Sequence, residues 1–247
     1  MLSVETHGAT RRLILSRPER RNALGGEIMS MLLAELKQAE REPQIRAIVL
    51  TGAPPAFCAG SDLKELGGLS IADMCLHEAD TAAVARYFAV LSKPIIAAVE
   101  GYALGGGFIL AASCDVVVSA ADARWHLPEV SNGWLPPWGL QALIARTGAH
   151  RARALCWGIA AMDGAQAQAI GLVDQICQPT RADEQAMAIA EKFALLPPSA
   201  VASCKRYFDP LLNNNADYLD RLASRHFADD CLGGQAQTVL AKYGEKK

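Results

Sequence analysis

The sequence predicts an α/β fold assembled from strand–helix–strand crossovers, and three observations predict it. Short runs rich in Val and Ile alternate with stretches of helical periodicity. Those runs end at glycine or small residues, as buried strands do. The chain has 247 residues, 51% hydrophobic and 20% charged, which is enough for one large core and too apolar for a disordered polypeptide.

The elements follow in order. Arg11 to Ser16 and Arg46 to Leu50 (RAIVL, ending at Thr51-Gly52) read as strands. Between them lies GEIMSMLLAELKQAER, where Ile28, Met31, Leu32, Leu36 and Ala39 recur at helical spacing with charges opposite. Residues 11–50 therefore form one βαβ unit, with a right-handed crossover. Pro94 to Val99 (PIIAAV) and Asp115 to Val118 (DVVV) are two further buried strands. From Leu140 onward the pattern becomes Ala-rich and helical, interrupted at Pro179 and Pro197-Pro198. The last fifty residues read as a helical appendage, which divides the chain into a core over 1–195 and a C-terminal region over 196–247.

Composition excludes several function classes. Lys plus Arg number 24 against 26 for Asp plus Glu, a net charge of -2 without a long run of either sign, which argues against a nucleic-acid binder. The seven cysteines, at 58, 75, 114, 156, 177, 204 and 231, contain no CxxC pair. Such a scatter fits reduced thiols better than a disulfide framework or a zinc site. MLSVETHGATRR lacks the basic start and apolar stretch of an export signal, and Lys93, Glu100 and Asp115 interrupt the longest apolar stretches. The expectation is a cytoplasmic protein with no membrane, nucleic-acid or metal partner.

Two glycine turns carry the chemistry. GAPPAFCAGSDLKE (52–65) follows a strand and precedes a helix. Gly60 admits dihedrals closed to other residues, which would let the Gly60 and Ser61 amides face a cavity; an ordinary tight loop has the same composition. In EGYALGGGFILAASCD, Gly105, Gly106 and Gly107 open a helix. Each costs roughly 0.5 to 1 kcal/mol relative to Ala, so something must approach the backbone closely there. A helix N-terminus also offers free N–H groups to a developing oxyanion. A nucleotide-phosphate loop is the rival, but the spacing is neither GxGxxG nor GxxxxGK[ST].

Together with SRPERRNAL (16–24), FCAGSDLKE (57–65), KPIIAAVEGYALGGG (93–107), CDVVVSAADARWHLPEV (114–130) and HFADD (226–230), these turns form an ordered series over nearly the whole chain. The series resembles the crotonase (enoyl-CoA hydratase/isomerase) superfamily. That resemblance implies a spiral of repeated ββα units with a C-terminal helical oligomerisation region forming a homotrimer or homohexamer. It also implies an acyl-CoA thioester as substrate, with coenzyme A entering only as part of it and no other cofactor. The oxyanion donors fall on the backbone N–H of Ser61 and of Gly106. Ser61 stands where Ala is common, and a backbone donor tolerates that change.

The resemblance also implies two glutamates in a hydratase, one two residues beyond the GGG run and one in a later PE segment. Ile109 occupies the first position and Glu129, in WHLPEVSNGW, the second. Two glutamates hold and split a water, whereas a 1,3 proton shift can use one base that takes a proton at C2 and returns it at C4. The sequence therefore favours double-bond isomerisation with Glu129 as single acid/base. Leu127, Pro128, Val130, Trp134 and Ile109 would supply the apolar surroundings that raise its pKa. Outside the motif, Glu129 reads as a carboxylate in a surface loop.

Ser113, His77, Asp73 and His126 are the substitutes available for a missing glutamate. His126 and Glu129 have metal-ligand spacing, but Pro128 between them opposes a helix, so His126 reads as structural. His77 falls on a helix over the acyl pocket. Where the family commonly has PGxGGT this chain has LPPWGLQAL (135–143), so Trp134 and Trp138 either narrow the pocket or pack in the core. The resemblance assigns coenzyme A to the backbone around Ala23 and to Ala59, Gly60, Asp62 and Leu63, with Arg17, Arg20, Arg21 and Lys64 near the phosphates. Phe227 matches a position that reaches toward a neighbouring subunit's coenzyme. The alternatives to an isomerase are a hydratase with a substitute second group, a crotonase-fold hydrolase or decarboxylase, and a non-catalytic acyl-CoA-binding protein.

Overall fold

The computed structural model describes residues 1–244. Eight strands, β1 (Leu2–His7), β2 (Thr10–Leu15), β3 (Ala47–Gly52), β4 (Ile95–Val99), β5 (Tyr102–Leu104), β6 (Val116–Ala120), β7 (Arg124–His126) and β8 (Gln175–Cys177), form two sheets. The larger has the order β1-β2-β3-β4-β6-β8, and β5 pairs with β7 in the smaller. All pairings are parallel except β1 with β2.

β3 and β4 are unbroken apolar runs because both faces of the sheet are covered. Ile48, Leu50, Ile95 and Ala97 face the main core, where the helix Gly26–Arg41 inserts Ile28, Leu32, Leu36 and Ala39. Ala47, Val49, Ile96 and Ala98 face the helix Ala182–Ala194 through its Ala186 and Ala190. The expected crossover over 11–50 is present, with Thr10 opposite Ala47 and Leu15 opposite Gly52. Met31 departs from expectation: it is 38% exposed, and Met29 is buried in its place. At 3.6 residues per turn, positions 28, 32, 36 and 39 define the inward stripe, and 31 lies at its margin.

β3, β4 and β6 each continue into a short extended segment of a second layer. β4 runs into β5 and β6 into β7. After β3, the segment at Cys58 makes a parallel bridge to Ala103, and Ser61 makes another to Leu24. A helix follows each: Leu63–Leu66, Gly106–Ala112 and Glu129–Asn132. This is the repeated strand–strand–helix spiral that the resemblance implies. It brings three helix entrances to one region of the molecule. Trp125 locks the second layer to the first, donating from Nε1 to Ser119 Oγ at 3.1 Å and meeting Phe108 edge-on at 5.3 Å between ring centroids.

The C-terminal helices Pro198–Asn213, Ala216–Asp230 and Gly234–Gly244 return over the core. Phe227, Cys231, Ala236 and Leu240 pack with Leu66, Met74 and Trp134 in a separate apolar cluster. Residues 245–247 of the region expected over 196–247 lie outside the described residues. Among the described residues no helix is long and apolar enough to cross a membrane.

One buried side chain fixes the loop that leads to the first glycine turn. Asn22, at φ +56°, donates from Nδ2 to the carbonyls of Ala53 (2.7 Å) and Ala56 (2.6 Å), while its Oδ1 accepts from the Arg17 N–H at 2.8 Å. Replacing it by Leu strands one buried and two partly buried polar groups, at about 1 to 3 kcal/mol for each that stays out of water. Asn22→Leu is expected to lower unfolding free energy by about 3 kcal/mol or more in urea titration, whereas a loss below about 1 kcal/mol would show that the loop holds itself.

Candidate active site

The first turn is held in place by its neighbours on both sides. Phe57 and Cys58 donate their N–H groups to Glu100 and Tyr102, and Leu104 donates back to Cys58. On the other side Leu24 donates to the Gly60 carbonyl at 2.8 Å and accepts from the Asp62 N–H at 2.9 Å. Gly60 has φ +85°, and a Cβ there would stand 2.8 Å from the Leu104 carbonyl oxygen and 3.0 Å from the Gly106 nitrogen. The residue is glycine because the two turns touch at this point.

The second turn leaves β5 through Gly105, at φ +53°, whose N–H donates to the His126 carbonyl at 2.9 Å. A Cβ on Gly105 would fall 2.6 Å from Glu129 Oε1, and one on Gly107 would fall 2.4 Å from the Cys58 carbonyl oxygen. The close approach expected of this glycine run is therefore made partly by the first turn and partly by Glu129. Ser61 and Gly106 are brought side by side on one cavity wall. Among the described residues, neither N–H is taken by a backbone carbonyl.

The cavity between the turns measures about 60 Å³, and Ile109, Glu129, Trp134, Trp138 and Phe227 contribute to its wall. Glu129 is the first residue of its short helix and only 8% exposed, so it is not a surface carboxylate. Its Oε2 is buried with no hydrogen-bond partner among the described residues. Burial pushes its pKa up to about 8; its own backbone N–H opposes the shift and the nearby Glu78 adds to it.

Glu78 is the residue that the sequence did not disclose. It lies on the helix Ile71–Val90, is 2% exposed, and reaches the same cavity, where its Oε2 accepts from Trp138 Nε1 at 2.7 Å. Burial raises its pKa, outweighing the hydrogen bond from the Trp138 side chain and the influence of Ser61 and His77. Ile109 does stand where the family's other glutamate would be, but the pocket is not short of a carboxyl. The available signal was a glutamate on the buried stripe Met74, Glu78, Thr81, Ala85, Phe88. Alanines on several faces of that helix obscure the stripe.

The other expected residues divide. Ala59, Gly60, Leu63 and Phe227 line the cavity with Ser61 and Gly106. Phe227 lines its own chain's cavity, where its helix sets it edge-on to Trp134 at 6.2 Å. Ala23 and Asp62 stand behind the wall: Arg17 donates to the Ala23 carbonyl at 3.1 Å and pairs with Asp62 at 2.9 Å, while Asp62 caps the Lys64 N–H. Arg20 is 3.9 Å from Asp62, and Arg21 covers the Tyr102 ring. Both tryptophans are buried cavity walls, Trp138 with a Glu78 hydrogen bond that neither expected role included.

None of the four substitutes lines the cavity. Ser113 bonds back to the Ile109 carbonyl, Asp73 joins the Ser70 cap of its helix, and His126 meets the Gly158 carbonyl at 2.9 Å. His126 is the structural histidine that Pro128 suggested. His77 sits beside Glu78 in sequence but points elsewhere, with its Nε2 buried and unpartnered among the described residues. No cluster of three or more potential metal ligands occurs among the described residues.

Comparison with known proteins agrees with this fold. Residues 5–246 match the family described as enoyl-CoA hydratase/isomerase. A probable enoyl-CoA hydratase of Rhizobium meliloti is 36% identical over 100% of this chain and 97% of its own length. The 2,3-dehydroadipyl-CoA hydratase of Escherichia coli is 37% identical over 78% of this chain and 76% of its own. Among solved structures, an enoyl-CoA hydratase/isomerase from Mycobacterium paratuberculosis superposes with a TM-score of 0.88 at 26% identity, covering 98% of this chain and 97% of that one.

The buried carboxyls make stability depend on pH. Glu129 titrates near 8 in the folded chain against an ordinary 4.5, so between those values the folded state holds a proton that the unfolded state has released. Stability from this group is complete below the unfolded value and is lost as pH rises through the folded one; Glu78 acts in the same direction. Calorimetry from about pH 5 to about pH 9 should show a falling Tm whose slope is shallower in Glu129→Gln; identical slopes would contradict the raised carboxyl.

Proposed function

Because the chain belongs to the enoyl-CoA hydratase/isomerase family, we propose that this enzyme moves a double bond in an acyl-CoA thioester through an enolate, with Glu129 as the acid/base and the Ser61 and Gly106 amides as the oxyanion donors. The observation that carries the reading is the free Glu129 Oε2, buried in the same cavity wall as those two N–H groups and faced by the apolar Ile109. Removing a proton from C2 places negative charge on the thioester oxygen. Donors already aimed at that oxygen need no reorganisation, and one such donor is worth about 2.7 to 4 kcal/mol of barrier. A carboxyl with pKa near 8 both accepts and returns a proton readily at neutral pH, as a C2-to-C4 transfer requires.

Hydration of a 2-enoyl-CoA is the second reading. Glu78 on the cavity wall and the names of the relatives favour it. Coenzyme A is part of the substrate, and Ala23, Ala59, Gly60, Asp62, Leu63 and Phe227 are the residues proposed to meet it. Assembly as a homotrimer or homohexamer is supported by the apolar residues left exposed on the C-terminal helices, among them Tyr207, Leu211 and Tyr218.

A paired assay with a 3-enoyl-CoA and a 2-enoyl-CoA, read by conjugated-thioester absorbance and product mass, separates these readings. Conversion of the first without mass gain is the expected result; gain of water on the second establishes hydration, and release of free thiol would replace both with hydrolysis. Glu129→Gln should reduce kcat/KM by about 100-fold or more. In the parent enzyme kcat/KM should rise with pH toward about 8, because the base must be ionised in the free enzyme. A flat profile would remove Glu129 from that role.

A further inference from the structure

Glu78 has no task in a single-base proton shift, and its position is costly. A carboxyl this deeply buried is ordinarily paired with a cation or replaced by an apolar residue. Among the described residues Glu78 is in no ion pair within 4.0 Å. Its hydrogen-bond partner is Trp138 Nε1, on the same cavity wall as Ser61.

The two carboxyls enter the cavity from different elements. Glu129 comes from the helix after β7 and lies against Gly105, while Glu78 comes from the long helix Ile71–Val90 and is held at the wall by Trp138. The Trp138 ring in turn lies over Gly106, its Cζ2 standing 3.1 Å from where a Cβ on that glycine would be. A thioester oxygen held by the Ser61 and Gly106 amides would have one carboxyl on its Gly105 side and another on its Trp138 side.

We propose that Glu78 is a second proton-transfer group of this site: a carboxylic acid that protonates the far end of the dienolate at C4 while Glu129 deprotonates C2. The assignment rests on the double-bond migration proposed above, and in it Glu78 takes over from Glu129 the return of the proton at C4. The Glu129 carboxylate takes the C2 hydrogen, and the C–H electron pair becomes the enolate, with its charge on the thioester oxygen. The enolate then collapses, restoring the C=O bond and forming C2=C3, while the former C3=C4 pair takes the proton from Glu78. Glu78 is left as carboxylate and Glu129 as acid, and proton exchange with solvent after product leaves restores the starting pair. Two carboxyls in one buried cavity resist ionising together, so one serves as base while the other remains an acid. Burial of Glu78 supports the acid role.

Glu78→Gln is the decisive variant, because an amide oxygen still accepts from Trp138 but cannot deliver this proton. In D₂O with a 3-enoyl-CoA, Glu78→Gln should exchange the C2 hydrogen yet form conjugated product about 100-fold more slowly than the parent, while Glu129→Gln should lose both steps. Parent enzyme given 2-deuterated substrate in H₂O should carry no label to C4. A Glu78→Gln variant that forms product within about threefold of the parent would reduce Glu78 to a support for Trp138 and overturn the assignment. Loss of C2 exchange in Glu78→Gln, or label carried from C2 to C4 by the parent, would overturn it as well. A parent enzyme inert toward 3-enoyl-CoA would overturn the migration reading and this assignment together, an outcome distinguishable because it appears without any substitution.

Discussion

Backbone contact between the two glycine turns is the constraint on which the rest of the site depends. Gly60 packs directly against Leu104, Gly105 and Gly106, and Gly107 packs against Cys58. Any side chain at Gly60 would drive the turns apart. Because the turns are also cross-bonded to β5 and to Leu24, the positions of the Ser61 and Gly106 amides are set by main-chain geometry, not by a side-chain rotamer. Preorganisation of this kind is what a developing oxyanion rewards.

Around that contact the chain gathers groups that would destabilise an ordinary core. Among the described residues Glu129 has a buried oxygen without a partner, and Glu78 is buried with an uncharged donor, the Trp138 indole. Each disfavours its own ionisation, and each raises the cost of ionising the other. The result is a pocket whose carboxyls hold protons well above the ordinary range, at some expense in stability. Active sites commonly make that exchange, and here the large parallel sheet and its two apolar layers supply the reserve.

The small volume of the cavity has the same origin. Trp134 and Trp138 follow the Glu129 helix directly, and the helix Ala216–Asp230 brings Phe227 against Trp134. Three aromatic rings thus close the space above the two turns. Trp138 links shape to chemistry, because the indole that forms a wall also orients Glu78.

Much of this was legible in the primary structure. Apolar runs covered on both faces announce themselves by composition, so β3, β4, β6 and the first crossover could be placed without coordinates. The glycines at 60 and 105–107, with Glu129 after Pro128, marked the site because each is required locally or belongs to an ordered motif. β1 is an exposed edge and β5, β7 and β8 have three residues each, too few for periodicity to register. Glu78 left only a faint signal as a site residue, since its place comes from the face of a helix that packs across the cavity from Ser61, Glu129 and Trp138. The same holds for Phe227, which the fold-back of the C-terminal helices delivers to its own chain's pocket. The sequence by itself determined β2, β3, β4 and β6, the two glycine turns and one carboxyl, because local dihedral and burial requirements constrain residue type. Only the tertiary structure decided that a second carboxyl faces the first, because that depends on which side of a helix is buried and against what.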